Sequence, residues 1–261
     1  SIPASRGTIY DVNGDVLAQN VSSYTLIAYL DPERSKNQKK LYHVEDKVTT
    51  AEKLSTVIDM KKEDILDILN QEGLYQVEFG YAGKNLTEME KEKIEALSLP
   101  GIDFIEDEKR YYPNGDFASY TIGYAKKNED GIITGELGIE ALLDSALKGV
   151  NGEITYQKDR DGRKIAGTKE LKVDAKNGDD IYLTIDSNIE LFVEQALREN
   201  FGKYPSEWAV AVVADAKTGK ILAASQKPSY DPNILNIKNY MDITVSTPYE
   251  PGSIMKIYTY M

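Results

Sequence analysis

Ser253 and Lys256 are the residues of this sequence whose types and spacing best fit a covalent chemistry. They lie in Tyr249-Glu250-Pro251-Gly252-Ser253-Ile254-Met255-Lys256, where a Pro-Gly turn delivers the serine to the start of a helix. Residues three apart on a helix share a face, so the amine comes within reach of the hydroxyl. A serine hydroxyl is a weak nucleophile until a base takes its proton, and a lysine can be that base when burial lowers its pKa. The N–H of Ser253 at the helix start also suits a developing oxyanion. The chain contains its own control for so short a motif. Ser145-Ala146-Leu147-Lys148 has the same spacing in the last turn of a helix, away from any turn-to-helix entry, and reads as structural. Taken alone, Ser253 and Lys256 fit either a catalytic pair or an ordinary helix start.

Other chemistries find little material. With no cysteine there is no disulfide framework, thiolate metal site or cysteine nucleophile. The single histidine, His43, sits in the polar stretch Lys39 to Asp46 and reads as a surface residue, so a typical zinc site and a Ser-His-Asp triad are both disfavoured. No metal and no organic cofactor is implied. A net charge of −12, from 43 acidic and 31 basic residues, argues against nucleic acid as a partner. No apolar run approaches the ~18 residues of a membrane helix, and the first residues lack a signal-peptide core, so any anchor is expected outside this chain.

The elements that must position the pair read as an α+β chain. With 261 residues, 41% hydrophobic and 28% charged, it has room for about two domains. Thr8-Ile9-Tyr10 and Val16-Leu17-Ala18 flank Asn13-Gly14, a tight-turn pair, and a third strand is expected over Tyr24 to Leu30. Two helical patterns follow in residues 47 to 71, one with Ala51, Leu54, Val57 and Ile58 on a face, the next with Ile65, Ile68 and Leu69. Tyr75 to Phe79 alternates as a half-buried strand does. Thr87 to Glu90 has the form of a capping box opening a helix to Leu97, which Pro100-Gly101 ends. A helix is expected from Glu136 to Lys148 with Gly149 as its stop, and a hairpin turn at Asp161-Gly162 between Ile154–Tyr156 and Lys164–Ala166.

The polar link Lys176 to Asp180 reads as a domain boundary, dividing residues 1–176 from 177–261. Separate cores on its two sides, and proteolytic cleavage near Asn177-Gly178, are the expectation. Beyond it come a strand from Ile181 to Ile185 and a helix whose apolar face is Ile189, Phe192, Val193, Ala196 and Leu197. Trp208–Ala214 and Lys220–Ser225, joined by Asp215 to Gly219, read as an antiparallel hairpin inside a larger sheet.

Several motifs in order add a resemblance. Arg6-Gly7-Thr8-Ile9-Tyr10-Asp11 through Leu17-Ala18 resembles the opening motif of class B penicillin-binding proteins. Arg110-Tyr111-Tyr112-Pro113-Asn114-Gly115, with Ala118 and Gly123, is similar to the family's second pedestal motif, and Gly135-Glu136-Leu137-Gly138-Ile139-Glu140 to its third. Leu183 to Asp186, the Asp215 to Gly219 hairpin and Pro251-Gly252-Ser253 with Lys256 continue the match, and the wording is closest to division-associated Gram-positive members. The pedestal arginines, Arg6 and Arg110, read as internal ion-pairing residues.

The resemblance implies an elongated N-terminal pedestal followed by the first part of a β-lactamase/transpeptidase-like α/β domain. It implies a peptidoglycan D,D-transpeptidase in which Ser253 is the nucleophile and Lys256 its base, acting on stem peptides and acylated by β-lactams. Division-machinery membrane proteins would be partners, and the location the outer face of the cytoplasmic membrane, behind an N-terminal membrane helix outside this chain. A β-lactamase or β-lactam sensor is disfavoured, because the segment from Arg6 to Lys176 has no place in a compact hydrolase. A non-catalytic scaffold docking division proteins is the alternative. Lys217-Thr218-Gly219 spells the family's third catalytic motif, but it precedes the serine and falls in a hairpin turn, so it reads as accidental. The family's Ser-x-Asn and Lys-Thr-Gly elements follow the serine, and this chain is therefore expected to be an N-terminal piece that penicillin does not acylate by itself.

Overall fold

A computed structural model describes residues 2–128, 131–155 and 171–260. The fold mixes α and β and divides into two compact units, Val21–Lys109 on one hand and Ser1–Asn20 with Arg110–Met261 on the other. The expected turn at Asp161-Gly162 lies outside the described residues.

The first strands form as the turn residues dictate. β1 (Ile9–Tyr10) and β2 (Val16–Tyr29) pair antiparallel with Ile9 opposite Ala18, and Gly14 takes the positive φ of 90° that the turn needs. The two strands expected at 16–18 and 24–30 are one strand of 14 residues, because nothing between them breaks an extended chain. Asp11 is wholly buried under this turn and accepts N–H bonds from Asn13, Asp15 and Ser187. Burial alone would raise its pKa, but those hydrogen bonds outweigh it and hold the carboxyl below its usual value.

The unit Val21–Lys109 carries the expected helical pair, α1 (Lys47–Leu54) and α2 (Lys62–Leu69), with β3 (Gln76–Glu78) pairing β2. α3 (Glu88–Glu95) begins at Thr87 with both halves of the capping box made. Leu26, Ala28, Ala51, Leu54, Ile65, Leu69, Phe79 and Ile94 fill its core. Each large side chain so buried contributes about 1.5–3 kcal/mol against exposure. β4 (Ile102–Tyr111), which pairs β2, has no counterpart in the sequence reading: its run of charges from Glu106 to Arg110 masks the alternation of Ile102 and Phe104.

The other unit contains α4 (Ser119–Ile122), a hairpin of β5 (Tyr124–Lys127) and β6 (Ile133–Leu137), then α5 (Gly138–Leu142) and α6 (Asp144–Leu147). The single helix expected over 136–148 is thus a strand end and two short helices. Gly138, at φ 60°, lies back to back with Gly123, and a Cβ on Gly123 would stand 1.7 Å from the Leu137 carbonyl oxygen. That close approach turns the chain at Leu137 and delays the helix start by two residues. β7 (Glu153–Thr155) pairs β8 (Leu171–Val173), with Ile154 opposite Lys172. β9 (Ile181–Tyr182) runs parallel to β1, and α7 (Ser187–Lys203) follows, capped by Asp186. β10 (Ala209–Ala214) and β11 (Ile221–Lys227) form the expected hairpin, which pairs with no third strand among the described residues. α8 (Ile243–Ser246) and α9 (Lys256–Thr259) complete the helices.

Residues on the two sides of the 176–180 link share one core, contrary to the expectation of separate ones. Tyr230 is buried among Ile9, Leu17, Tyr112, Phe117, Tyr120 and Leu147, with Leu183 and Ile237 packed against them. The link is stitched rather than loose. Gly178 N–H donates to Ser5 O (2.9 Å), Asp179 N–H to Ala146 O (2.9 Å) and Ser5 N–H to Asn177 Oδ1 (3.1 Å). A Cβ on Gly178 would meet the Leu147 carbonyl at 1.6 Å. A protease needs a segment it can pull free of its hydrogen bonds, so Asn177-Gly178 is a poor cleavage site.

Candidate active site

Gly252 adopts φ 55°, and the chain then turns into a 3-10 segment, Gly252–Met255, that runs into α9. Ser253 therefore stands in the first turn, as its Pro-Gly entry predicts, and Lys256 begins the next element. Both are exposed, and the described residues show no hydrogen bond between the Ser253 hydroxyl and the Lys256 ammonium. The backbone joins them instead, Lys256 N–H donating to Ser253 O.

Two other Ser–Lys combinations test how specific this pair is. Lys148 makes an ion pair with Asp144 at 3.8 Å across one turn, in keeping with the structural reading of Ser145 and Lys148. Lys227 touches Ser229 at 2.9 Å, a contact that sequence spacing did not suggest. Two carboxylates claim the Lys227 ammonium, Glu194 at 2.8 Å and Asp116 at 3.1 Å. The ammonium is engaged by acids on both sides, so contact with a hydroxyl does not by itself mark a catalytic pair. Lys217-Thr218-Gly219 lies in the β10–β11 turn, where Asp215 Oδ1 accepts from the N–H groups of Lys217 (3.0 Å) and Thr218 (2.7 Å) and from the Thr218 hydroxyl (2.8 Å). Its residues serve the turn.

Arg6, Arg110 and Glu140, which carry three of the ordered motifs, meet in a buried cluster. Glu140 is fully buried, with Arg6 Nε donating to Oε2 at 2.8 Å and Arg110 Nε to Oε1 at 2.6 Å. The Tyr112 hydroxyl donates to the same carboxylate at 3.2 Å and accepts the Ala125 N–H at 2.7 Å. Arg6 also donates to Asp144, Glu140 O and Ile133 O, and Arg110 Nη1 to Gly7 O and Asn20 Oδ1, while Arg110 Nη2 is buried without a partner among the described residues. Burial first, and then the Glu140 charge, push the Tyr112 hydroxyl well above the ordinary tyrosine value. The Asp144 carboxyl is held below its ordinary value: burial opposes this, but Gly135 N–H and Arg6 outweigh it. The two arginines thus make the internal ion pairs expected of them. Their shared acid, Glu140, was not singled out by spacing, since it lies in what reads as an ordinary amphipathic helix.

Among the described residues no group of three or more His, Asp or Glu is placed to hold a metal ion, and no helix is long and apolar enough to cross a membrane.

Comparison with known proteins places these features. Residues 1–183 match the penicillin-binding protein dimerisation domain, and residues 209–261 the penicillin-binding protein transpeptidase domain. Stage V sporulation protein D of Bacillus subtilis is 30% identical over 262 residues, covering 97% of this chain and 38% of that protein. Peptidoglycan D,D-transpeptidase MrdA of Escherichia coli K12 is 30% identical over 292 residues, with 98% and 43% covered. The crystal structure of penicillin binding protein 2X from Streptococcus thermophilus superposes with a TM-score of 0.67 at 35% identity, over 98% of this chain and 40% of that one. The chain thus spans about two-fifths of the length of such relatives. Its buried Arg6–Glu140–Arg110 cluster falls in the segment matched to the dimerisation domain, its Ser253–Lys256 turn in the segment matched to the transpeptidase domain, and the chain belongs to the class B penicillin-binding proteins.

Proposed function

We propose that the whole protein is a peptidoglycan D,D-transpeptidase in which Ser253 is the nucleophile and Lys256 its base. The observation that carries this reading is the position of the Pro-Gly-Ser-x-x-Lys turn inside the segment matched to the transpeptidase domain. Relatives that are peptidoglycan D,D-transpeptidases, such as MrdA, support the reaction class. In the reaction, the Ser253 oxygen attacks the carbonyl carbon between two terminal D-alanines as Lys256 takes its proton. The C–N bond then breaks, the proton passes to the departing D-alanine, and an acyl-serine ester remains. An amine from a neighbouring stem peptide attacks that ester, forms the new amide and restores the serine hydroxyl. A β-lactam enters the first step alike, but its ring opening leaves an ester that persists. No metal or organic cofactor is required. The region to about residue 176 acts as the pedestal, on the outer face of the cytoplasmic membrane, and division-machinery membrane proteins are the partners it would meet there.

Covalent labelling of the complete protein with fluorescent penicillin tests this reading against a non-catalytic scaffold. A label that survives denaturation and is blocked by unlabelled β-lactam is the expected result. A folded complete protein that takes up no label is the scaffold's signature and overturns the proposal.

A further inference from the structure

α7 meets the hairpin through two acids beside only part of the apolar face its sequence advertises: Leu197 is buried and Ile189 and Val193 are half-buried, but Phe192 and Ala196 are exposed. Glu190, Glu194 and Leu197 are its buried residues, whereas Phe192 is 71% exposed and Leu191 58% exposed. The Ser225 hydroxyl, on β11, lies within hydrogen-bond distance of Glu190 Oε1 and, at 2.8 Å, of Glu194 Oε1. A hydroxyl carries one hydrogen, so it can donate to only one of these oxygens. Unless a second proton is present, the other contact sets lone pair against lone pair between buried groups.

The surroundings decide which carboxyl holds that proton. Glu194 receives the Ala118 N–H at 3.2 Å and faces the Lys227 ammonium at 2.8 Å. Glu190 receives one other donor, the Ala224 N–H at 2.7 Å, and is fully buried. Charge counting agrees. The other charge-bearing side chains around Glu190 are Glu194 and Arg198 on α7, Lys227 on β11 and Asp116 in the loop after β4, with Asp116 3.1 Å from Lys227 and 3.7 Å from Arg198. Two negative and two positive charges balance, and an ionised Glu190 would be a third, unpaired negative charge.

We infer that Glu190 is a neutral carboxylic acid in the folded protein, donating to Ser225, which donates to Glu194, so that a held proton locks α7 onto β11. Raising the pH withdraws that proton and loosens the joint. Burial first, and also the charge of Glu194, raise the Glu190 pKa above its ordinary value, against the hydrogen bonds from Ser225 and Ala224 and the charge of Lys227. A raised folded-state pKa gives stability that is complete below the unfolded value of 4.5 and is lost as pH rises through the folded one. This inference does not depend on the acyl-transfer reading, since stability and labelling are measured separately.

Glu190→Gln is the direct test, because its carbonyl can accept from Ala224 and its amide can donate to Ser225 without titrating. Urea unfolding of the full chain from about pH 5 to about pH 9 should show the wild type losing ground to Glu190→Gln by up to about tenfold in unfolding constant per pH unit through the titration. At the alkaline end the variant should be the more stable, and Glu190→Ala less stable than either at the acid end. Parallel wild-type and Glu190→Gln curves overturn the inference. An infrared band of a protonated carboxyl, present at neutral pH in the wild type and lost in Glu190→Gln, is the second expected result, and its absence from the wild type likewise contradicts the proposal.

Discussion

Glu140→Ala is expected to destabilise the protein by about 3–5 kcal/mol, the usual cost of removing one partner from a buried ion pair. The carboxylate is shared by Arg6 and Arg110, whose side chains are 2% and 1% exposed, so its loss strands two guanidinium groups out of water at once. Arg6 would keep Asp144 at 2.6 Å and Arg110 would keep Gly7 O at 2.8 Å. Those contacts limit the damage but do not neutralise Arg110. Against a total stability of about 5–15 kcal/mol, such a loss brings the chain close to unfolding at room temperature. Chemical denaturation, with Glu52→Ala as the comparison, checks this, since the Lys62–Glu52 pair is solvated and its removal should have little effect. A Glu140→Ala curve that overlays the wild type would show that the cluster does not hold this region together.

Ser253→Ala is expected to remove covalent penicillin labelling from the complete protein while leaving its denaturation curve unchanged, because the side chain is exposed and contributes nothing to the core. Lys256→Ala should slow acylation by about 10²–10⁴-fold, the range associated with losing a positioned general base. Ser145→Ala and Ser229→Ala should label as the wild type does. Lys148 is occupied by Asp144, and Lys227 by Asp116 and Glu194, so neither serine has a free amine beside it. Stopped-flow acylation separates the Lys256 effect on rate from any effect on affinity. A Lys256→Ala protein acylated at the wild-type rate would assign the base elsewhere.

Local signals survived into the fold wherever a few residues determine the geometry unaided. The Asn13-Gly14 turn, the Thr87–Glu90 capping box and the Asp215 turn each satisfy their own hydrogen bonds, and tertiary packing had only to accept them. Periodicity succeeded for α1 and α2 because their buried faces, Thr50 apart, are apolar. It found only part of the buried face of α7, which carries Glu190 and Glu194 against Ser225 and Lys227 beside Leu197. An apolar-face argument has no means of seeing an acid that is solvated by the protein. The same blindness hid Glu140, and it hid β4, whose charges interrupt the alternation. The separate cores expected at 176–180 failed for another reason: Tyr230 comes from far along the chain to fill a gap among residues near the start. At the candidate site the motif order named Ser253 and Lys256, and the structure sets them in consecutive turns without joining their side chains.

The most direct measurement is the mass-spectrometric position of the penicilloyl group on the complete protein after proteolytic digestion. A single adduct is expected, on the peptide carrying Ser253. An adduct on a peptide containing Ser145, Ser229 or any serine outside the Pro251–Lys256 turn would contradict it.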